Sequence, residues 1–303
     1  MNLIVGGTGS LGSALARRLL AANKPVRIMT RTPKKAADLQ GLGAEVIRGD
    51  LLHKPSLVRA CEGVTSVVAS AHSVFGRGQN ASKYVDMQGH KDLIDAAVGA
   101  GVDHFVYISV YDLGPEFESV TFLKCKREVE RHLKASELGH TILRPTFFME
   151  SYAGTLTLQP ILEQGKGTVY GEGENPRNMV AADDVAHFAA LALHDPGMKN
   201  QTIDVGGLDN VAIMDVVRLY ERLSGRPANV SHVPRAMLNV MYRVLRPFNP
   251  GLSQIMQMSI YGDTVDCTYD AGPLLAKHRI EPTRLEDWVS DYIRSEVFSV
   301  AVA

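Results

Sequence analysis

Along the first 145 residues, apolar positions fall into short unbroken runs separated by longer stretches at helical spacing. Leu3-Ile4-Val5 is one such run, after which Leu11, Ala14, Leu15, Leu19 and Ala22 recur at helical intervals. This reads as a buried strand feeding an amphipathic helix. Further strands are predicted over 25–30, 44–47, 64–70, 104–109 and 141–145. Helical stretches lie between them, including a long one ending near Gly101 and a strongly charged one over Phe122–Glu130. The run from Val64 to Ser70 is rich in β-branched residues without polar alternation, as expected of a parallel strand covered on both faces. Strand–helix alternation of this kind specifies an α/β fold on a doubly wound parallel sheet.

After Pro145 the pattern loosens. Residues 146–173 hold Phe147, Phe148 and Tyr152 and glycine turns at 165, 167, 171 and 173. Val180–Ala186 opens a helix with Asp183 or Asp184 expected as N-cap. A last core strand is predicted over 202–205, a helix over 212–224 and a closing helix over 285–297 with the only tryptophan, Trp288. The expected organisation is a nucleotide-binding domain over 1–145, rejoined by 177–207, with a smaller, partly discontinuous substrate or lid region over 146–176 and 208–303. The methionine-rich stretch from Ala236 to Ser259 reads three ways: the lining of an apolar pocket, the core of a helical subdomain, or a helix on a membrane surface.

Composition narrows the classes. The chain has 303 residues, is 45% hydrophobic and 21% charged, and carries a net charge of −1, which gives no electrostatic ground for binding nucleic acid or an anionic membrane. Cys61, Cys125 and Cys267 are odd in number and widely spaced, so neither a disulfide framework nor a metal site is expected, and a reducing compartment fits. The first strand starts at once, so no signal peptide is expected. The nearest approach to a transmembrane segment, Pro247–Gly262, is broken by two prolines, Asn249, Gln254 and Gln257. Cytoplasmic location is the expectation, with peripheral membrane contact compatible.

The chemistry sits at the ends of the predicted strands. Between the first strand and helix lies Gly6-Gly7-Thr8-Gly9-Ser10-Leu11-Gly12, with glycines at every third position. Such a loop gives a tight turn, lets a pyrophosphate approach the backbone and packs helix on strand, with the free N–H groups opening the helix facing the anion. After the second strand, an NAD site places a carboxylate for the ribose hydroxyl; here stands Arg31, followed by Lys34 and Lys35. A guanidinium grips a 2′-phosphate, so NADP(H) is expected over NAD(H), with Arg31 as main discriminator. Asp50 ends the third strand beside Leu51, placed either to accept from the adenine amino group or to cap the helix near Pro55. Ser70-Ala71-His72 ends the fourth strand, beside ribose and pyrophosphate, with His72 either structural or an acid–base group. The polar loop 76–82 is expected to form a mobile rim. Ser109 and Tyr111 follow the fifth strand as candidate catalytic groups.

These residues resemble a known family. Gly6–Gly12, Arg31, Gly49-Asp50-Leu51, Lys126-x-x-x-Glu130, Thr141-Ile142-Leu143-Arg144-Pro145 and the segment Asn178–Ala186 look like the atypical short-chain dehydrogenase/reductases of the NmrA-like branch. The resemblance implies a Rossmann-type fold with NADP(H) along the carboxyl edge of the sheet, contacts from Lys126 and Pro145 among others, and a small C-terminal region over the substrate. It also brings a departure. The superfamily's working pair is Tyr-x-x-x-Lys, and four residues before Lys126 stands Phe122, which carries no proton. Tyr111 or His72 then become substitutes, or Lys126 itself transfers the proton; the bland reading of Lys126 is an exposed helix lysine paired with Glu130.

The leading expectation is an NADP(H)-dependent reductase of a small apolar, quinone-like or aromatic carbonyl, with Phe147, Phe148 and Tyr152 contacting substrate. The alternative is a non-catalytic NADP(H) sensor or assembly factor that binds a protein partner. A sugar-nucleotide epimerase or dehydratase is weaker, because its chemistry leans on the missing tyrosine.

Overall fold

The computed structural model describes residues 1–114 and 119–302. Two compact units emerge, one of Met1–Pro145 with Val185–Asp204, the other of Thr146–Asp184 with Val205–Ala303. The first unit begins with β1 (Asn2–Val5), α1 (Ser10–Ala21), β2 (Val26–Thr30), the short α2 (Ala37–Gly41), β3 (Glu45–Arg48) and α3 (Lys54–Cys61). It continues with β4 (Ser66–Ala69), α4 (His90–Gly99), β5 (His104–Ile108), α5 (Thr121–Ala135) and β6 (Gly139–Pro145). Beyond Pro145 come β7 (Phe147–Phe148), α6 (Gln159–Gln164), β8 (Gly167–Tyr170), β9 (Arg177–Val180), α7 (Ala182–Ala192), β10 (Gln201–Val205), β11 (Asp209–Val211) and α8 (Ile213–Ser224). The chain closes with β12 (Val230–Val233), α9 (Arg235–Leu245), α10 (Pro250–Thr264), α11 (Gly272–His278) and α12 (Leu285–Val302).

The central sheet runs β3-β2-β1-β4-β5-β6-β10. Its direction of growth reverses at β1, where Ile4 is paired with Ile28 of β2 on one side and Val68 of β4 on the other. In a parallel sheet that reversal opens a crevice at the carboxyl ends of the two strands. One face of the sheet packs on α3, α4 and α5 through Leu57, Val67, Leu93, Phe105, Val129 and Ile142, all fully buried.

The helix expected to end near Gly101 is built in two parts. Residues Lys83–Gly89 wind as a π-helix and α4 follows directly. Packing here is close: Asp86 is fully buried, and a Cβ at Gly89 would lie 2.8 Å from Leu51 Cβ and 2.9 Å from its carbonyl oxygen.

In the second unit, β9 lies between β11 and β7, and β8 pairs with β12. Residues 177–180, expected to rejoin the nucleotide-binding domain, thus build this smaller sheet, and the return to the first unit spans 185–204. Asn178 ties the sheet together: its Oδ1 accepts from the Gly207 N–H and Thr146 Oγ1, each at 2.9 Å, and its Nδ2 donates to the Gly207 carbonyl at 3.1 Å. The helix expected to be capped by Asp183 or Asp184 instead starts at Ala182, whose N–H donates to both carboxylate oxygens of Glu150 at 3.0 and 3.1 Å. Both aspartates fall inside the first turn, and Asp184 accepts from the N–H and Oγ1 of Thr283, each at 3.0 Å. Among the described residues no helix is long and apolar enough to cross a membrane, and no cluster of His, Cys, Asp or Glu suits a metal ion.

Two glycines of α4 and its approach should respond oppositely to alanine. Gly89→Ala is expected to cost about 1–3 kcal/mol, because the backbone of Leu51 must move. Gly99→Ala, with open space where its Cβ would stand, is expected to gain about 0.5–1 kcal/mol by helix propensity. Urea midpoints of the two variants against the parent check both signs.

Candidate functional site

At two of its glycines the turn from β1 into α1 leaves no room for a side chain. Gly6 has φ +96°, and a Cβ there would lie 2.6 Å from the Ala71 nitrogen. A Cβ on Gly12 would come within 2.3 Å of the Gly6 carbonyl oxygen. The fold itself therefore demands these two glycines. Gly9 differs: it is exposed, and the nearest atom to an added Cβ is the Gly6 oxygen at 3.5 Å, an ordinary contact. Nothing in the protein requires a glycine there, whereas a phosphate approaching the backbone does. No side chain caps α1 and no acidic residue stands in its first turn, so the positive end of the helix is left for an anion. Thr8 and Ser10 are exposed beside Gly9, while Leu11 is buried. The loop thus fits a dinucleotide's phosphates.

The other sequence-predicted residues of this unit gather at the same edge. Ser70 and Ala71 are zipped to the end of β1, their N–H groups donating to the Val5 carbonyl at 2.9 and 3.1 Å. Arg31 and Lys35 are exposed after β2, and the Arg31 guanidinium lies 3.4 Å from Asn80 Oδ1, across from the loop that follows β4. Asp50 does not cap α3; its Oδ1 accepts from the Leu52 N–H at 3.0 Å, closing a tight turn after β3. Leu51 sends its side chain into the core. Pro145 ends β6, its carbonyl accepting from the Tyr111 N–H at 2.9 Å.

Lys126 is buried, not exposed as its bland reading expected, and Glu130 is not its partner. Lys126 Nζ donates to the Ile108 carbonyl at 2.9 Å and stands over the rings of Tyr107, at 4.9 Å from the centroid, and Phe122, at 5.6 Å. Burial lowers the lysine's pKa, and the carboxylates of Asp86 and Glu130 oppose that shift. Asp86 is also fully buried, with Oδ1 accepting from the Ser73 N–H at 2.9 Å. Among the described residues, Asp86 Oδ2, the Tyr107 hydroxyl and His90 Nε2 are buried polar atoms with no hydrogen-bond partner. Burial raises the Tyr107 phenol well above its ordinary value and lowers His90 to about 3, so neither exchanges protons near neutral pH.

His72 meets the Phe122 ring edge-on, with centroids 6.5 Å apart, so a second titratable side chain besides Lys126 stands beside Phe122. The residue is exposed, yet desolvation lowers its pKa and the Lys126 charge lowers it further, against the Asp86 carboxylate. Both effects favour the neutral ring.

Ser109 and Tyr111 belong to a different cluster. Glu130 accepts from the Ser109 hydroxyl, from Arg127 Nη1 at 2.9 Å, and from Arg144 through Nε at 3.0 Å and Nη2 at 2.6 Å. Tyr111 lines a cavity of about 750 Å³ with Asp112, Arg127, Glu130 and Arg144. In the second unit, Phe147 and Tyr152 meet edge-on at 5.0 Å, and both flank the buried guanidinium of Arg177, at 5.5 and 5.9 Å. Phe148 is half-buried on β7. Phe147 is buried and Tyr152 half-buried. Asp86, Tyr107 and Arg177 were not singled out from the sequence.

Burial alone would raise the carboxyl of Glu130, but Arg144, Ser109 and Arg127 hold it below the ordinary glutamate value. Its contribution to stability is therefore complete above the ordinary value and is lost as pH falls through the lowered one. Glu130→Gln is expected to cost about 3 kcal/mol at neutral pH and to flatten the acid limb of the stability curve. Urea unfolding of both proteins across acidic pH checks this; parallel curves would count against the assigned network.

Comparison with known proteins follows the same lines. The NmrA-like family matches residues 2–289. Photosystem II assembly factor Ycf39 of Guillardia theta is 28% identical over 298 residues, covering 96% of this chain and 93% of that protein. NAD(P)H azoreductase of Xenophilus azovorans is 31% identical over 228 residues, covering 75% of each. Among solved structures, the NADPH-dependent quinone oxidoreductase of Escherichia coli complexed with NADPH superposes with TM-score 0.76 at 22% identity, over 96% of this chain and 99% of that one, a likeness of fold. With its glycine turn, its buried lysine and a family match from β1 into α12, the chain belongs to the NmrA-like family.

Proposed function

We propose that the chain is an NADP(H)-dependent reductase of a small, apolar, quinone-like or aromatic carbonyl acceptor. The observation that carries this reading is an intact phosphate cradle, with an otherwise unexplained glycine at position 9, beside a lysine whose tyrosine partner is replaced by phenylalanine. The N–H groups opening α1 would hold the pyrophosphate, and Arg31, assisted by Lys34 or Lys35, the 2′-phosphate. Asp50 stands for the adenine amino group and Ser70–His72 for the ribose side. Lys126 spends one of its three N–H donors on the Ile108 carbonyl and keeps two for hydroxyls of the nicotinamide ribose. When bound, the cofactor supplies a hydride. Phe122 supplies no proton, and neutral His72 offers a hydrogen bond beside it.

That division of labour selects the acceptor. A ketone becomes an alkoxide, which needs a placed acid as it forms. A quinone becomes a phenolate, whose pKa of about 10 resembles that of tyrosine, so water suffices to protonate it. The similarity to an NAD(P)H azoreductase supports reductive chemistry on an aromatic-type acceptor.

A second reading has its own support: the likeness to photosystem II assembly factors spans nearly the whole of both chains, and Phe122 removes the usual acid. In this reading the chain binds NADP(H) without consuming it and holds a protein complex as partner.

Arg31→Asp is expected to weaken NADPH binding roughly 10–150-fold, equivalent to about 1.5–3 kcal/mol, with NADH nearly unchanged. Fluorescence titration of both nucleotides measures this, and equal losses would refute the role of Arg31. NADPH oxidation against a panel of quinones and aromatic carbonyls tests the reaction. Tight binding with no turnover on any acceptor would transfer the assignment to the second reading, which predicts a multi-protein complex in affinity purification.

A further inference from the structure

Four large apolar side chains stand in the open on one stretch of the second unit. Met237, Val240 and Val244 recur at intervals of three and four along α9, and Phe248 follows just past its end. Each is more than half exposed, and Phe248 is 80% exposed. Within α9 only Leu238 is buried, so the helix rests on the protein along a narrow line. At about 100° per residue, Met237, Val240 and Val244 share a sector about 60° wide, with Asn239, Arg243 and Arg246 to one side of it. Apolar residues scattered singly over a surface are ordinary; a contiguous stripe on one helix is not.

The stretch of chain that carries the stripe has charge of one sign. Between Glu221 and Asp263 the chain contains five arginines (Arg222, Arg226, Arg235, Arg243 and Arg246) and no aspartate, glutamate or lysine. The chain as a whole carries −1, so everything outside this stretch is net acidic. Arg222 and Arg235 reach Glu286 and Asp263 at 3.4 Å, whereas Arg243 and Arg246 pair with no carboxylate among the described residues. Net charge, which gave no ground for an anionic membrane, averages away this segregation.

We propose that α9 with Phe248 is a docking surface for a lipid bilayer carrying anionic headgroups. The stripe would enter the boundary between headgroups and acyl chains, and Arg243 and Arg246 would meet the lipid phosphates. A convex single helix fits a plane better than it fits a groove, and a rim of arginines alone complements a surface of one sign. With no described helix able to span, the contact lies in the plane of the membrane. Docking is independent of the cofactor reading, since none of these residues belongs to the nucleotide edge.

Flotation of the full chain with vesicles of phosphatidylglycerol and phosphatidylcholine, against phosphatidylcholine alone, is the test. Binding is expected to the anionic vesicles and to fall with added salt. Val244→Glu should abolish it, and Arg243→Gln and Arg246→Gln should each weaken it about fivefold. Unchanged circular dichroism and NADPH affinity would show that these exposed variants remain folded. Failure to bind either vesicle, or equal binding by Val244→Glu, overturns the proposal. A dimer in sedimentation velocity that Val244→Glu dissociates, without vesicle binding, also overturns it and gives the face to a second copy of the chain.

Discussion

A buried ammonium has to be compensated, and how this chain compensates Lys126 decides what lines the edge of its sheet. A buried charge carries a desolvation penalty of several kcal/mol unless it is paired or hydrogen-bonded. Here the Ile108 carbonyl, two aromatic faces and the Asp86 carboxylate share the task. The Ile108 bond fixes α5 to the end of β5. Asp86 extends the constraint further, because the carboxylate that faces the lysine also holds the Ser73 N–H. The loop that presents Ser70, Ala71 and His72 to the crevice is thereby anchored to the same buried charge.

The glycines of the first turn separate two kinds of necessity. Gly6 and Gly12 exist because backbone and helix approach too closely for a Cβ, a requirement the protein would have with nothing bound. Gly9 answers to no atom of the protein closer than ordinary contact. A glycine that the fold does not need, on an exposed helix N-terminus without capping side chain or acid, is a stronger pointer to a ligand than the three-glycine spacing.

Much of the first unit was legible because most of its strands are short apolar runs and most of its connections are helices of ordinary period. Where the winding changed, legibility ended. Residues 83–89 and 150–158 coil as π-helices, whose period the 3.6-residue template does not match, and β8 and β12 are short strands far apart in sequence. Asp86 does not announce its burial, because a lone acid ordinarily faces solvent. The signal was present: Asp86 and His90 fall in phase with Leu93, Ile94 and Ala97 on the buried face. A polar pair in register with an apolar stripe marks an interior network. The capping role given to Asp183 or Asp184 failed because the cap comes from Glu150, 32 residues earlier, which no local pattern encodes.

Phe122 is where family membership and reaction part company. The ring still performs the packing half of a tyrosine's work, covering Lys126 and meeting His72, so the fold has no reason to reject it. Only the hydroxyl is gone, and with it a proton source. His72 does not replace that source in kind, since desolvation and the neighbouring ammonium both lower its pKa and favour the neutral ring over the charged acid. What survives is a site able to hold and orient a nicotinamide but unable to protonate a strongly basic product. On the proposed reading, such a site would discriminate by the basicity of what it makes: acceptors whose reduced form water can protonate would remain within reach, and simple ketones would not.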